Sequence, residues 1–561
     1  MWDHVTRAKD SEKSIESTPR STSAGGHATP SFSAFNAVIK SSFSGTSSAE
    51  VSPSKPNLEK ILRQPVNFRD VVITTTQSSI SGGLNSPTKS VEIDLHASTS
   101  VGNLAEVDSL GSLYSEQPQY ASVQRSKMVI IMVGLPGRGK TFVCNKLKCY
   151  LNWLGHVTGH FNVGNYRRNQ KLGDLTQDAS FFCHTNGAGL ELRQKALDSA
   201  LDDMMRWLNT GSGQVAIFDA TNTTASRRQL LRDKLHGRCQ YLFIESICND
   251  METLERNYMN KLMYSPDYAG VNVEEALRDF KARIQAYEDV YEPITDRSFH
   301  YIKLIDMVTG RGYMDINRIS GYIPGKLVFF LMQVCRAGLG NARKIWLTRH
   351  GESEYNVLKL IGGDSNISGE GEKYATALPK VLEARLPQGE ATPLQVWTST
   401  LKRTIQTAQH LPFAKLRWKA LDEIDAGVCD GMTYEDIAEK MPEEFAARKS
   451  DKLGYRYPSG ESYMDVIQRL EPVIIEIERQ KDSVCIVAHQ AILRVIYGYF
   501  MAVSPEEIPR LSIPLHTLIE LTPMPDGQMS VQMLPVDINA DPSTLLENLA
   551  SNPSPLPVLA S

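Results

Sequence analysis

The chain has 561 residues, more than a single hydrophobic core can use, so roughly two to four domains are expected. Hydrophobic residues make up 41% and charged residues 22%, with a formal net charge of −4; this is an ordinary globular balance with no basic excess to draw it to nucleic acid. Eight cysteines lie scattered without a CxxC pair or a His/Cys cluster, which argues against a zinc site or a disulfide framework and for buried thiols in a reducing compartment. The first residues carry acidic groups and no apolar signal core. The apolar run 325–340 is too short to span a bilayer and contains Lys326 and Arg336. A cytoplasmic protein with no membrane partner is expected.

Residues 1–125 are rich in Ser, Thr, Gly and Pro, a composition that buries too little apolar surface to offset chain entropy, and a disordered extension is expected. Thr18, Thr29, Ser52 and Ser86 each precede a proline, which would suit proline-directed protein kinases, although such pairs are common in any tail of this kind. The patch "FRDVVITTT" (68–76) could add a strand to the folded body. From residue 126 short apolar runs at 128–133, 215–218 and 241–247 read as buried strands, and 140–154 and 190–208 have helical spacing. This alternation predicts an α/β domain over 126–340, a parallel sheet with helices on both faces. A second series at 342–350, 394–400 and 482–489 predicts another α/β domain over 341–525. No repeat relates the halves, and the Pro- and Ser-rich stretch 526–561 reads as a flexible tail.

"GLPGRGKT" (134–141) fits G-x-x-x-x-G-K-[ST] between a strand and a helix. Gly134, Gly137 and Gly139 let backbone N–H groups turn toward phosphates, helped by the helix dipole. Lys140 would reach the β- and γ-phosphates, and the Thr141 hydroxyl would help hold Mg²⁺. Asp219 ends the strand-like run "QVAIFDATNTT", where a carboxylate can sit near Mg²⁺ or an attacking hydroxyl. A small polyanionic acceptor also needs cations, and Arg167, Arg168, Arg193, Arg227, Arg228 and Arg283 are available for bidentate phosphate binding.

Farther on, "KIWLT" ends at Arg349-His350-Gly351-Glu352, which places His350 in the crevice at the carboxyl end of a strand. A neutral imidazole there can accept a phosphoryl group and divide a hydrolysis into two easier steps. Gly351 would let the phosphate approach closely. Arg349 and Arg403 would neutralise the group in flight, and Glu423 would protonate the leaving oxygen. His489, ending its own strand, would hydrogen-bond the phosphoryl oxygens.

The stretches "VGLPGRGKT", "FNVGNYRR", "FDATNTT", "RHGESEYN", "VWTSTLKRTIQTA", "EIDAGVCDGMTYEDI" and "AHQAILR" occur in this order, and together they resemble the bifunctional 6-phosphofructo-2-kinase/fructose-2,6-bisphosphatase family. The resemblance implies a P-loop kinase domain followed by a histidine-phosphatase domain of the phosphoglycerate-mutase type. It implies ATP and Mg²⁺ as cofactors, fructose 6-phosphate and fructose 2,6-bisphosphate as ligands, control of glycolysis and gluconeogenesis, and a homodimer. On the kinase side it assigns Asn257 and Lys261 with the P-loop to the nucleotide, and Cys248 to the active site. Arg167, Arg193, Thr221, Arg227, Arg283 and Tyr287 are assigned to fructose 6-phosphate. On the phosphatase side it assigns the nucleophile to His350 and the proton donor to Glu423. Arg349, Asn356, Arg403 and His489 would surround the 2-phosphate, and Gly362, Tyr434, Arg448, Lys452, Tyr463, Gln490 and Arg494 the rest of the sugar. Animal members carry a lysine three residues before the Ser-Pro-Asp-Tyr run. Here Leu262 takes that place and Lys261 lies about 100° around the helix from it. Two other readings stand beside this one: a bisphosphatase with a weak kinase, and a non-catalytic sugar-phosphate sensor, against which the full histidine-phosphatase set argues.

Overall fold

The computed structural model describes residues 127–170, 178–309, 311–335, 343–386 and 393–539. The expectations for the extension 1–125, including the strand at 68–76 and the four Ser/Thr-Pro sites, lie outside the described residues. Both folded domains belong to one compact unit.

The first domain is built on six strands, β1 (Met128–Val133), β2 (Thr158–Asn162), β3 (Val215–Asp219), β4 (Gln240–Ile247), β5 (Tyr301–Ile305) and β6 (Tyr313–Asn317), in the order β2-β3-β1-β4-β5-β6. Central β1 is all apolar and buried at every position, as a strand covered on both faces must be. The pairs through β5 are parallel, and β6 closes the edge antiparallel to β5. The three strands and two helices expected here are present. The polar-rich β2 and β6 had no apolar run to announce them, and the run of β5 is broken by Lys303.

The second sheet comprises β7 (Ile345–Arg349), β8 (Leu394–Thr398), β9 (Ala414–Arg417), β10 (Ser483–Ala488), β11 (Thr517–Pro523) and β12 (Met529–Pro535), ordered β12-β11-β7-β10-β8-β9. Four strands run parallel, while β11 is antiparallel to both β7 and β12. The expected flexible tail therefore does not begin at 526. Residues 529–535 lie in the sheet, with Met529, Met533 and Leu534 buried. The Pro/Gly cluster before them is a hairpin turn, its Gly527 at φ 87°, rather than the end of the fold.

One hydrophobic cluster runs through both domains: Leu147, Tyr150 and Trp153 share it with Leu470, Ile474, Ile496 and Tyr499. The first three project from the helix Lys140–Trp153, and the others from Tyr463–Arg479 and Gln490–Phe500. Polar contacts cross the same seam. Trp153 Nε1 donates to the Val495 carbonyl (3.1 Å) and Tyr150 Oη to Glu471 (2.7 Å). Fully buried Glu478 accepts from Lys146 Nζ (2.8 Å) and Tyr499 Oη (2.8 Å).

Candidate functional site

A cavity of about 790 Å³ opens where β1, β2 and β3 end, the position at which doubly wound sheets bind ligands. The loop from β1 enters it with Gly137 and Gly139 at φ 74° and 79°. A Cβ on Gly137 would stand 2.7 Å from the Tyr258 ring, so only glycine fits at this left-handed turn. Gly134 has another reason: its Cβ would meet the Ser246 carbonyl oxygen at 2.5 Å, between neighbouring strands. Lys140 Nζ donates to the Leu135 carbonyl (2.7 Å). Burial, against the attraction of Asp219, lowers its pKa to about 8. Asp219 accepts from Asn162 Nδ2 (2.6 Å) and Thr141 Oγ1 (3.0 Å), and its Oδ2 lies 3.2 Å from His160 Nε2. Burial works to raise its pKa, but His160, Lys140 and Thr141 outweigh it and hold the carboxyl below the usual range. A hydroxyl and a carboxylate in contact at the helix start are the hard oxygen donors that a Mg²⁺–triphosphate needs, so these residues fit that group.

The far wall is cationic. Arg167, Arg283 and Arg168 converge on Asp267, at 2.6, 3.1 and 3.4 Å, and despite burial they hold its carboxyl down to about 2. Arg283 lies 3.8 Å over the Phe182 ring, and its buried Nε has no acceptor among the described residues. Arg193 donates to the Phe182 and Cys183 carbonyls (2.9 and 3.2 Å), Arg227 to Gln194 (2.8 Å), and Thr221 and Tyr287 complete the lining. Arg228 is turned away, donating to the Asn222 and Thr223 carbonyls.

Helix Met251–Tyr264 answers the register question. Leu254, Tyr258 and Leu262 form its buried stripe, and Cys248, just before the helix, joins the same core cluster. Asn257 and Lys261, one turn apart, line the cavity, with Asn257 Nδ2 donating to the Gly137 carbonyl (3.1 Å). Lys261 keeps contact with solvent, yet enclosure by the cavity first, and Arg283 and Arg168 next, hold its pKa below the usual value. Cys248 does not line this cavity. It borders a small void beside Gly139 and Phe142, and burial pushes its thiol pKa up. Asp267, His160 and Asn162 also line the cavity without a sequence signal of their own, as does the turn Pro525–Gln528 of the second domain, tied to it by Asn145 donating to the Asp526 carbonyl (2.9 Å).

A second cavity, of about 380 Å³, lies at the carboxyl ends of β7 and β10. His350 Nδ1 is 2.7 Å from the Gly351 carbonyl. A carbonyl only accepts, so Nδ1 carries the proton and Nε2 keeps its lone pair. Burial, then Arg403 and Arg349, holds the His350 pKa well below its ordinary value, so the ring is neutral at pH 7, the form in which an imidazole can act as a nucleophile. Arg349 donates to the Ile513 carbonyl (3.0 Å), while its buried Nε lacks an acceptor among the described residues. Arg403 Nε donates to His489 Nδ1 (3.2 Å) and Nη1 to the Gly363 carbonyl (2.6 Å). His489 must then donate from Nε2 to Ser399 Oγ, 2.8 Å away. With both nitrogens engaged and no exposure, His489 sits behind Arg403 and does not line the cavity, contrary to the expected contact with phosphoryl oxygens.

Glu423 accepts on Oε1 from the Ile424 and Ala491 amides (3.0 and 3.2 Å), and the residue lines the cavity. Arg448, Lys452 and Arg494 form a cationic end. Burial and these arginines lower Lys452 to a pKa of about 8. Arg448 donates to Tyr457 and Tyr434 (2.8 and 2.9 Å), and Arg494 to Tyr463 (3.0 Å). Asn356, Gly362 and Gln490 line the cavity as expected. Gly351 does not: its Cβ would stand 2.6 Å from the Gly371 carbonyl oxygen, so a helix, not a phosphate, explains that glycine.

Residues 115–337 match the 6-phosphofructo-2-kinase family, and residues 345–534 match the histidine phosphatase superfamily, branch 1. Three curated proteins are similar over both domains. The 6-phosphofructo-2-kinase/fructose-2,6-bisphosphatase of Arabidopsis thaliana is 51% identical over 70% of this chain, which spans about half (52%) of that relative. The fructose-2,6-bisphosphatase of Saccharomyces cerevisiae is 48% identical over 72% of this chain and 87% of its own length. The 6-phosphofructo-2-kinase/fructose-2,6-bisphosphatase 1 of Homo sapiens is 46% identical over 74% and 85%.

Proposed function

Because the chain belongs to the bifunctional 6-phosphofructo-2-kinase/fructose-2,6-bisphosphatase family, we propose that it both makes and hydrolyses fructose 2,6-bisphosphate. In the first cavity O2 of fructose 6-phosphate bonds to the γ-phosphorus of ATP as the bond to the bridging oxygen breaks; ADP leaves and the hydroxyl proton passes to solvent. Gly137, Gly139, Lys140, Thr141, Asn257 and Lys261 would hold the nucleotide. Mg²⁺, carried by Thr141 and Asp219, would supply charge neutralisation on the phosphates. Such transfers have a loose transition state, so positioning and charge dominate over a strong base. Arg167 and Arg283, balanced on Asp267, and Arg193 and Arg227 supply the cationic cage for the sugar phosphate. A bisphosphatase with a weak kinase is disfavoured, because Lys261 lines the cavity although Leu262 occupies the expected position.

In the second cavity His350 Nε2 attacks the phosphorus of the 2-phosphate, and the bond to O2 breaks. Glu423 protonates O2, and fructose 6-phosphate leaves. Water, giving its proton to Glu423, then releases inorganic phosphate from the histidine. Arg349 and Arg403 balance the charge, while Arg448, Lys452 and Arg494 hold the 6-phosphate. The observation that carries this reading is His350 itself, its Nδ1 bound to the Gly351 carbonyl and its Nε2 without a partner among the described residues, in a cavity lined by Arg349 and Arg403. The test is twofold: MgATP and fructose 6-phosphate must yield fructose 2,6-bisphosphate, and 2-labelled bisphosphate must give an acid-labile adduct. No product sinks the kinase half, and an adduct that survives in His350→Ala sinks the nucleophile assignment.

A cytoplasmic location fits a chain in which no described helix is long and apolar enough to cross a membrane. Pairing of two copies is supported by edge strand β6, whose Tyr313 and Ile316 are exposed. The Ser/Thr-Pro pairs of the extension are the places for regulatory protein kinases to act.

A further inference from the structure

Cys144, His160 and Asp219 are far apart in sequence, yet one ligand atom of each lies within 4.8 Å of the other two. The thiol comes from the second turn of helix Lys140–Trp153, the imidazole from β2 and the carboxylate from the end of β3. His160 Nε2 is already 3.2 Å from Asp219 Oδ2. Around a tetrahedral Zn²⁺, ligand atoms sit roughly 3.3–3.7 Å apart, so the three donors need close by only about an ångström. His160, Asp219 and neighbouring Thr141 line the large cavity, while Cys144 is fully buried behind them. A fourth position, for water or a phosphate oxygen, is thus reachable from the cavity.

We propose that this thiol–imidazole–carboxylate set binds a borderline divalent cation such as Zn²⁺, in competition with the Mg²⁺–nucleotide. Mg²⁺ wants oxygen donors and many waters, whereas sulfur and nitrogen favour Zn²⁺ or Co²⁺. Both ions need Asp219, so a cation held by Cys144 and His160 takes the carboxylate that Thr141 would share with Mg²⁺. On binding, a sulfur–metal bond replaces the S–H bond and the proton leaves to buffer; no redox step is involved. The second cavity draws on none of these residues. Resting on the kinase reading above, the consequence is that Zn²⁺ stops synthesis and leaves hydrolysis running, making the enzyme one-way.

The test uses the full chain and Co²⁺ as a spectroscopic probe. The expected result is one equivalent of Co²⁺ giving thiolate-to-cobalt charge-transfer absorption and tetrahedral d–d bands, both displaced by Zn²⁺. Cys144→Ser, nearly isosteric, should lose the charge-transfer band and keep Mg²⁺-dependent synthesis, and His160→Ala should weaken Co²⁺ binding by about tenfold or more. Absence of the band, or its persistence in Cys144→Ser, overturns the site. Zn²⁺ should inhibit synthesis in the unaltered chain and not in Cys144→Ser, with hydrolysis unchanged in both; equal inhibition of the two chains overturns the competition. A cobalt spectrum as expected in a chain that never makes fructose 2,6-bisphosphate would uphold the site and refute the kinase reading instead.

Discussion

Lys146→Met strikes the seam between the domains where it is most buried. Lys146 Nζ lies 2.8 and 3.1 Å from the two carboxylate oxygens of Glu478, and the side chains are only 6% and 1% exposed. At an effective dielectric near 20 a pair at this distance attracts by ~6 kcal/mol before desolvation, and removing one partner of a buried pair costs about 3–5 kcal/mol. Arg343 (3.7 Å) and Tyr499 (2.8 Å) remain on Glu478, so the lower end, ~3 kcal/mol, is expected, a factor of roughly 150 in the unfolding constant. Urea unfolding followed by tryptophan fluorescence measures it, with both activities tracked along the same curve. Lys146→Met/Glu478→Gln should recover most of the loss. Burial would raise the Glu478 pKa, but Lys146 and Arg343 outweigh it and hold it below its usual 4.5. A depressed carboxylate stabilises the fold above its unfolded pKa and ceases to do so as pH falls through the folded one. The gap between the two chains should therefore close below about pH 4.5. A loss under ~1 kcal/mol, or a gap that persists in acid, would refute the reasoning.

Three further outcomes are expected. Glu423→Gln should slow bisphosphate hydrolysis by about 10²–10⁴-fold while an aryl phosphate, whose leaving group needs no proton, still labels His350 in a quench experiment; equal loss with both substrates would remove Glu423 as the acid. Lys261→Met should raise the KM for ATP about tenfold at unchanged melting temperature, whereas Leu262→Ala should cost about 2–5 kcal/mol and leave KM alone; the reverse pattern would undo the register assignment. Burial first, and Arg403 next, hold His350 and His489 well below the usual 6.5. Their neutral forms support the fold fully above that pH, and the support is lost as pH falls. A melting scan should show stability dropping from pH 7 to 5, less steeply in His350→Ala, while the labelling rate of His350 stays flat from pH 8 to 6.

The parts readable from sequence were those in which one short stretch carries both the fold signal and the chemistry. The P-loop and the His350 strand are of this kind, each an apolar run followed at once by a cavity-lining group; His489 ends such a run too, but its burial behind Arg403 could not be read from it. The cationic walls are not: Arg167, Arg283 and Asp267 meet only through tertiary packing, and only family resemblance selected the arginines. Helical spacing could have settled Lys261, since Leu254, Tyr258 and Leu262 repeat every four residues and Asn257 and Lys261 share another face. It could not have moved Cys248 out of the site, because a cysteine at a strand end looks the same from either side of the sheet. The hairpin to β12 was misread because Pro and Gly punctuate a turn and a terminus alike.

The shared core has a consequence for how such a protein can change over generations. Leu147, Tyr150 and Trp153 lie in a core cluster to which both domains contribute. Deleting the second domain would strip Leu470, Ile474, Ile496 and Tyr499 from one side of the helix that carries the P-loop, and Glu478 from Lys146. A descendant needing one activity alone has to disarm a site by substitution and keep the silent domain as scaffold.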